Sequence, residues 1–133
     1  MDKKELNEIL KLHKMWMNGE EGGVKANLWL NDLRGMDLSG MDLREVNLLQ
    51  AFLNHANLRG ANLSGVNLCD ASLYGADLTG ANLEGACLYR TDLTNANLSN
   101  ANLRDANLTE ADLTDAVTDG ADFTNASLFG AIH

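Results

Sequence analysis

Proline is missing altogether from the 133 residues, aromatic side chains make up 5%, and only two cysteines are present. A core with so few rings must be built from small and aliphatic side chains, which the 45% hydrophobic content supplies. Basic residues are also scarce: 10 Lys and Arg against 19 Asp and Glu leave a net charge of -9. Direct nucleic-acid binding is therefore not expected, because such binders gain affinity by neutralising phosphates with Lys and Arg. An acidic body favours basic partners, or simply solubility. No apolar run reaches transmembrane length and the N-terminus lacks a signal peptide's hydrophobic segment, so no membrane contact is expected and the cytoplasm is the expected location. Two cysteines without CxxC spacing fit free thiols in a reducing compartment. The histidines, His13, His55 and His133, are scattered, and no Ser/His/Asp set, phosphate-binding loop or EF-hand pattern occurs. Neither an enzyme nor a cofactor or metal site is expected.

What is present divides at residue 25. Residues 1–25 read as a capping helix and hinge. Leu6, Ile9, Leu10, His13, Trp16 and Met17 fall on one helical face, Asp2 with Glu5 makes a capping box, and Asn18-Gly19 supplies the stop. Glu20-Glu21-Gly22-Gly23 reads as a short flexible hinge. His13 is expected to be a packed cap residue rather than a base or metal ligand.

From Ala26 to Gly130 the pattern Ala-Asn/Asp-Leu-x-x returns every five residues without insertion or deletion. Every fifth residue from Leu28 through Leu113 is leucine, followed by Thr118, Phe123 and Leu128. A period of five is neither 3.6 nor 2, so the chain must turn a corner once per repeat and send the same two positions inward. Leu28, Leu48, Leu68, Leu78, Leu98, Leu113 and Phe123 sample the expected core. Thr118, polar in that column, marks either a loosened last coil or a local shift that buries Val117 instead.

This register resembles the pentapeptide repeat protein family over residues 26–133. The resemblance implies an all-β solenoid, a right-handed quadrilateral β-helix with four pentads per coil and about five coils, the leucine and the preceding alanine inside. His13, Trp16 and Gly22-Gly23 resemble the capping segment of many bacterial members. Membership implies no single activity: some members inhibit or protect DNA gyrase by imitating DNA.

Residues twenty apart then share a face. One outward column reads Trp29, Leu49, Cys69, Tyr89, Thr109, Phe129 and is apolar along most of its length, with Trp29, Leu49, Tyr89 and Phe129 as the candidate interaction face. An apolar stripe of that extent needs a cover. The N-terminal helix folding back over Trp29, Leu30 and Leu49 is the expected one; self-association or a protein partner is the alternative. Asn27, Asn47, Asn67 and Asn107 form a ladder beside it. Asp92, Asp105, Glu110, Asp112 and Asp115 make a candidate acidic patch toward the C-terminus, where Asp92 stacking on Asp112 brings like charges together. Cys69 and Cys87 lie one coil apart and two positions out of register, so their Cα atoms are expected about 8 Å apart, beyond disulfide reach. The repeat stays in phase to the last residues, so the last coil is expected to present an open edge with Phe129 and Ile132 and to form a homodimer or end-to-end stack. The function expected is a non-enzymatic protein-interaction module; the alternative is a DNA mimic acting on an enzyme such as gyrase.

Overall fold

A computed structural model describes residues 1–133. Each pentad closes a tight turn in which the N–H three residues beyond the central leucine donates to that leucine's carbonyl, from Asn31 to Leu28 (3.1 Å) through Ala131 to Leu128 (3.0 Å). The second turn residue has positive φ in every repeat, from Leu30 (60°) and Gly35 (69°) to Gly130 (71°). That left-handed value is the signature of a type II turn. Between turns the chain is extended for too short a stretch to make a long strand. It forms single parallel bridges instead, each joining a residue to the one twenty further on, from Asn27–Asn47 to Asp112–Ile132. Four turns per twenty residues give a four-sided coil, and hydrogen bonds such as Leu68 N–H to the Cys87 carbonyl (2.8 Å) stack one coil on the next. A left-handed corner costs an L-residue roughly 1–2 kcal/mol unless it is Gly, Asn or Asp. Leu30→Gly is accordingly expected to raise the urea midpoint by an amount equivalent to about 1 kcal/mol. Asn95→Gly, also at φ 60°, should leave it nearly unchanged.

Both inward columns are sealed. The central leucine of every pentad from Leu28 to Leu113 is at most 5% exposed, and the small residues from Ala51 to Ala111 that precede them are equally buried. Thr91 is the one buried polar residue in the small column; its hydroxyl donates to the Leu68 carbonyl at 2.8 Å, so its burial leaves no orphaned group.

Helix α1 (Lys3–Met17) starts at the Asp2/Glu5 capping box and ends at Asn18, with Gly19 left-handed. It lies across the open end of the first coil. Leu6 joins the leucine core at 1% exposure, and Ile9 and Leu10 pack against it. His13 is equally buried: the Ala26 N–H donates to its Nδ1 at 3.0 Å, and its Nε2 meets the Arg44 carbonyl at 2.8 Å. Accepting at Nδ1 leaves the proton on Nε2, so one neutral ring satisfies two backbone groups at the coil's end. Trp16 is 39% exposed, stacked on His13 with ring centroids 5.6 Å apart and Lys25 Nζ 5.0 Å from its ring.

Two expectations about this segment fail. The helix caps the end of the rod and does not cover the apolar face: Trp29 and Leu30 remain 48% and 46% exposed. An amphipathic pattern says which side of a helix is buried, not what buries it. Nor is Glu20-Glu21-Gly22-Gly23 a loose hinge. The Gly23 N–H donates to the Glu20 carbonyl and the Val24 N–H to Leu12, folding the segment against α1. A Cβ on Gly23 would lie 2.3 Å from the Trp16 backbone nitrogen. Gly23→Ala should therefore push α1 off the coil and destabilise by about 1–3 kcal/mol, measured by thermal unfolding.

In the last coil Thr118 causes no register shift. The bridge Asn97–Val117 keeps phase, Thr118 is exposed and Val117 is 44% exposed rather than buried. Phe123 is only partly buried, packed against the core rather than sealed in it.

Candidate functional site

The outward faces follow rules of their own. All sixteen Asn or Asp residues standing before a central residue, from Asn27 to Asp122, accept the backbone N–H two positions on, at 2.9 to 3.2 Å. This is an Asx turn, a side chain standing in for a backbone acceptor as the chain enters the corner. The preference for Asn or Asp at that position is thus structural. Six of these carboxyls sit below the usual range. Asp32 is lowered to about 2, by the Arg34 side chain first and the Arg34 N–H second. Arg44 does the same for Asp42, and the hydroxyl and N–H of Ser39, Thr114 and Thr124 for Asp37, Asp112 and Asp122. Partial burial pushes Asp77 up, but hydrogen bonds from Thr79 and Arg59 outweigh it.

Depressed folded-state values mean that these carboxylates stabilise the fold above the unfolded value near 3.8 and lose that contribution as pH falls toward 2. The thermal midpoint should therefore drop between pH 4 and pH 2, and Asp32→Asn should flatten that drop. A midpoint independent of pH across this window would overturn the assignment.

The candidate acidic patch divides by role. Asp92 and Asp112 are bridged neighbours, as expected, but both hold Asx turns. Asp112 draws its hydrogen bonds from the Thr114 N–H and hydroxyl. Asp105, Glu110 and Asp115 occupy left-handed corners. The acids are therefore spread over turns rather than converging on a ligand. Of the candidate face, Trp29 is half exposed and donates its indole N–H to Gln50 (3.2 Å), Leu49 and Tyr89 are half-buried, and Phe129 is 81% exposed. In the neighbouring column Asn47 donates to Asn27 at 3.0 Å, but Cys87 interrupts the ladder between Asn67 and Asn107.

Cys69 and Cys87 are joined by a disulfide, with Cα atoms 5.7 Å apart. The expectation of free thiols is wrong, and the error is geometric. Cys69 follows its leucine and already belongs to the turn, so the chain leaves the flat strand path there and approaches the residue before the leucine of the next coil. The same eighteen-residue relation recurs in Asn54 with Ser72 (2.8 Å), Arg59 with Asp77 (3.1 Å), Arg104 with Asp122 (3.2 Å) and Thr109 with Ser127 (3.1 Å). That spacing is the sequence signal that finds the pair. Paired cysteines also remove one of the two grounds for a cytoplasmic location. Thr109→Cys with Ser127→Cys should oxidise to a second link of this kind and add about 3 kcal/mol, read as loss of both thiols and a raised thermal midpoint.

No group of three His, Cys, Asp or Glu could hold a metal ion, and no helix is long and apolar enough to cross a membrane. A depression of about 660 Å³ between α1 and the first coil is lined by Leu10, Lys11, Lys14, Met41, Asp42 and Arg44 among others.

The model for pentapeptide repeats matches the chain in eight copies covering residues 24–60, 56–95, 86–117 and 106–132. Among solved structures the chain is similar to Rfr23, a pentapeptide repeat protein from the cyanobacterium Cyanothece 51142, with 41% identity over 68% of this chain and a TM-score of 0.65. It spans 63% of the length of that relative. It is also similar to alr5209, a pentapeptide repeat protein from Nostoc Pcc 7120, with 32% identity, 88% of this chain and 92% of that one covered, and a TM-score of 0.68. No curated protein matches it. Coil, turn and sequence register therefore agree: the chain belongs to the pentapeptide repeat family.

Proposed function

We propose that this rod, built as a right-handed quadrilateral β-helix, is a non-enzymatic protein-interaction module that self-associates through its last coil. The observation that carries the reading is where exposed apolar surface collects. Val117, Leu128, Phe129 and Ile132 are 44%, 38%, 81% and 58% exposed, all within the last two coils. A pocket of about 450 Å³ beside them is lined by Leu113, Ala116, Phe123 and Leu128, with Asp115, Thr118 and His133. Apolar side chains so concentrated mark an association surface on a soluble rod, and a second copy supplies an identical self-complementary patch. Tyr89 lies two coils back in the column of Phe129.

Sedimentation of the wild type and of a Tyr89→Ser, Phe129→Ser variant tests this. A concentration-dependent dimer that the variant loses supports the reading, and a wild type that stays monomeric at high concentration overturns it. A second reading, imitation of DNA before a basic enzyme surface, draws on residues 91–133, where seven acids face Arg104 alone. Arg104 is itself taken up by Asp122 at 3.2 Å. Unchanged gyrase supercoiling at high protein concentration would remove it.

A further inference from the structure

The link between Cys69 and Cys87 is not required by the repeat. Cys87 stands in a column otherwise held by Asn27, Asn47, Asn67, Asn107 and Ser127. Asn47, Asn67 and Asn107 each accept the N–H two residues on, whereas no protein group accepts the corresponding Tyr89 N–H. The chain gives up an Asx turn there in exchange for a thiol. The backbone around the pair is held without the bond: Leu68 N–H donates to the Cys87 carbonyl (2.8 Å), Cys87 N–H to Val66 (2.9 Å) and Asp70 N–H to Tyr89 (2.9 Å). The Cα separation of 5.7 Å is therefore set by coil stacking and lies within the range a disulfide needs. Both cysteines are half-buried on an outward face, within reach of a small reagent.

We propose that Cys69 and Cys87 form a reversible redox site, oxidised by exchange with a small disulfide such as oxidised glutathione while the coil backbone stays as it is. One cysteine thiolate attacks a glutathione sulfur, breaking the glutathione disulfide and releasing one glutathione thiolate. The second cysteine thiolate attacks the protein sulfur of the mixed disulfide, forming the Cys69–Cys87 bond and releasing the second glutathione. The two protons lost by the cysteines are taken up by the two glutathione thiolates. One disulfide is reduced and one dithiol is oxidised, so no further reagent is needed. In the oxidised form, separation of neighbouring coils spreading from either end is stopped at this point; in the reduced form it is opposed by hydrogen bonds and packing alone. The inference does not rest on the interaction reading.

The test uses the full chain equilibrated across a series of reduced-to-oxidised glutathione ratios, quenched with acid and weighed intact. The expected result is a single transition between dithiol and intramolecular disulfide, with mixed disulfide never the main species and far-UV circular dichroism superimposable at both ends. Amide exchange at Leu68, Asp70 and Cys87 should stay protected in both forms and be slower in the oxidised one. A Cys69→Ser, Cys87→Asn variant should show no redox dependence in either measurement. Accumulation of glutathione adducts would overturn the proposal by showing that the thiols are not held in reach. Loss of amide protection on reduction, or a bond that excess reduced glutathione does not open in the folded protein, would overturn it as well.

Discussion

Leu68→Asp is expected to abolish cooperative unfolding. Leu68 is 0% exposed at the middle of the leucine column, and removing it forfeits about 1.5–3 kcal/mol of apolar transfer. The carboxylate put in its place has no partner inside a stack of leucines, which costs several kcal/mol more or forces the acid to protonate. The sum rivals the whole stability of an ordinary domain, about 5–15 kcal/mol. Leu128→Asp makes the same chemical change three coils further along the same column. Leu128 is 38% exposed in the last coil, so the aspartate stays in water and the loss should be about 1 kcal/mol or less. The natural chain already places exposed Thr118 in this column. Urea unfolding followed by circular dichroism compares the pair, and equal midpoints would refute the stacked core.

His13→Ala should be nearly as damaging, at about 3–5 kcal/mol, although it lies outside the repeat. The ring closes the coil's end by serving the Ala26 N–H and the Arg44 carbonyl together. Truncation leaves both backbone groups without a partner, costing about 1–3 kcal/mol each. It also removes the surface on which Trp16 stacks. His13→Phe separates packing from hydrogen bonding, because it fills the space with no donor or acceptor. If His13→Phe is as stable as the wild type, the two hydrogen bonds are not what the ring contributes. Amide exchange should place the damage in residues 26–45 and spare the coils beyond.

The repeat was legible because its period is carried by side chains that differ sharply from their neighbours, a leucine every fifth residue and a small residue two before it. The family follows from that register. The capping box was legible too, since its chemistry is local to Asp2 and Glu5. What was not legible depends on how the chain bends between the positions that the pattern fixes. Cys69 and Cys87 look too far apart while the coil side is treated as a flat strand, and they meet once Cys69 enters its turn. The seat of α1 is not legible in the sequence because its apolar face suits an open coil end as well as an apolar stripe. Asp92 and Asp112 read as a charged patch because nothing in a composition count distinguishes a carboxylate that binds its own backbone from one that faces a partner.

Bridges that join only residues twenty apart give this rod two separate units of change. A duplication or loss of one pentad keeps every leucine inward, so the chain still folds. It also rotates every residue beyond it by a quarter turn, and the Leu49, Cys69, Tyr89 series would be cut and its remainder carried to another side. A change of four pentads lengthens or shortens the rod and leaves each side in line. Folding is thus read in fives and surface in twenties. Any activity that depends on one side of the rod tolerates a change of length only in whole coils, whereas one that depends on the end alone tolerates any whole number of pentads.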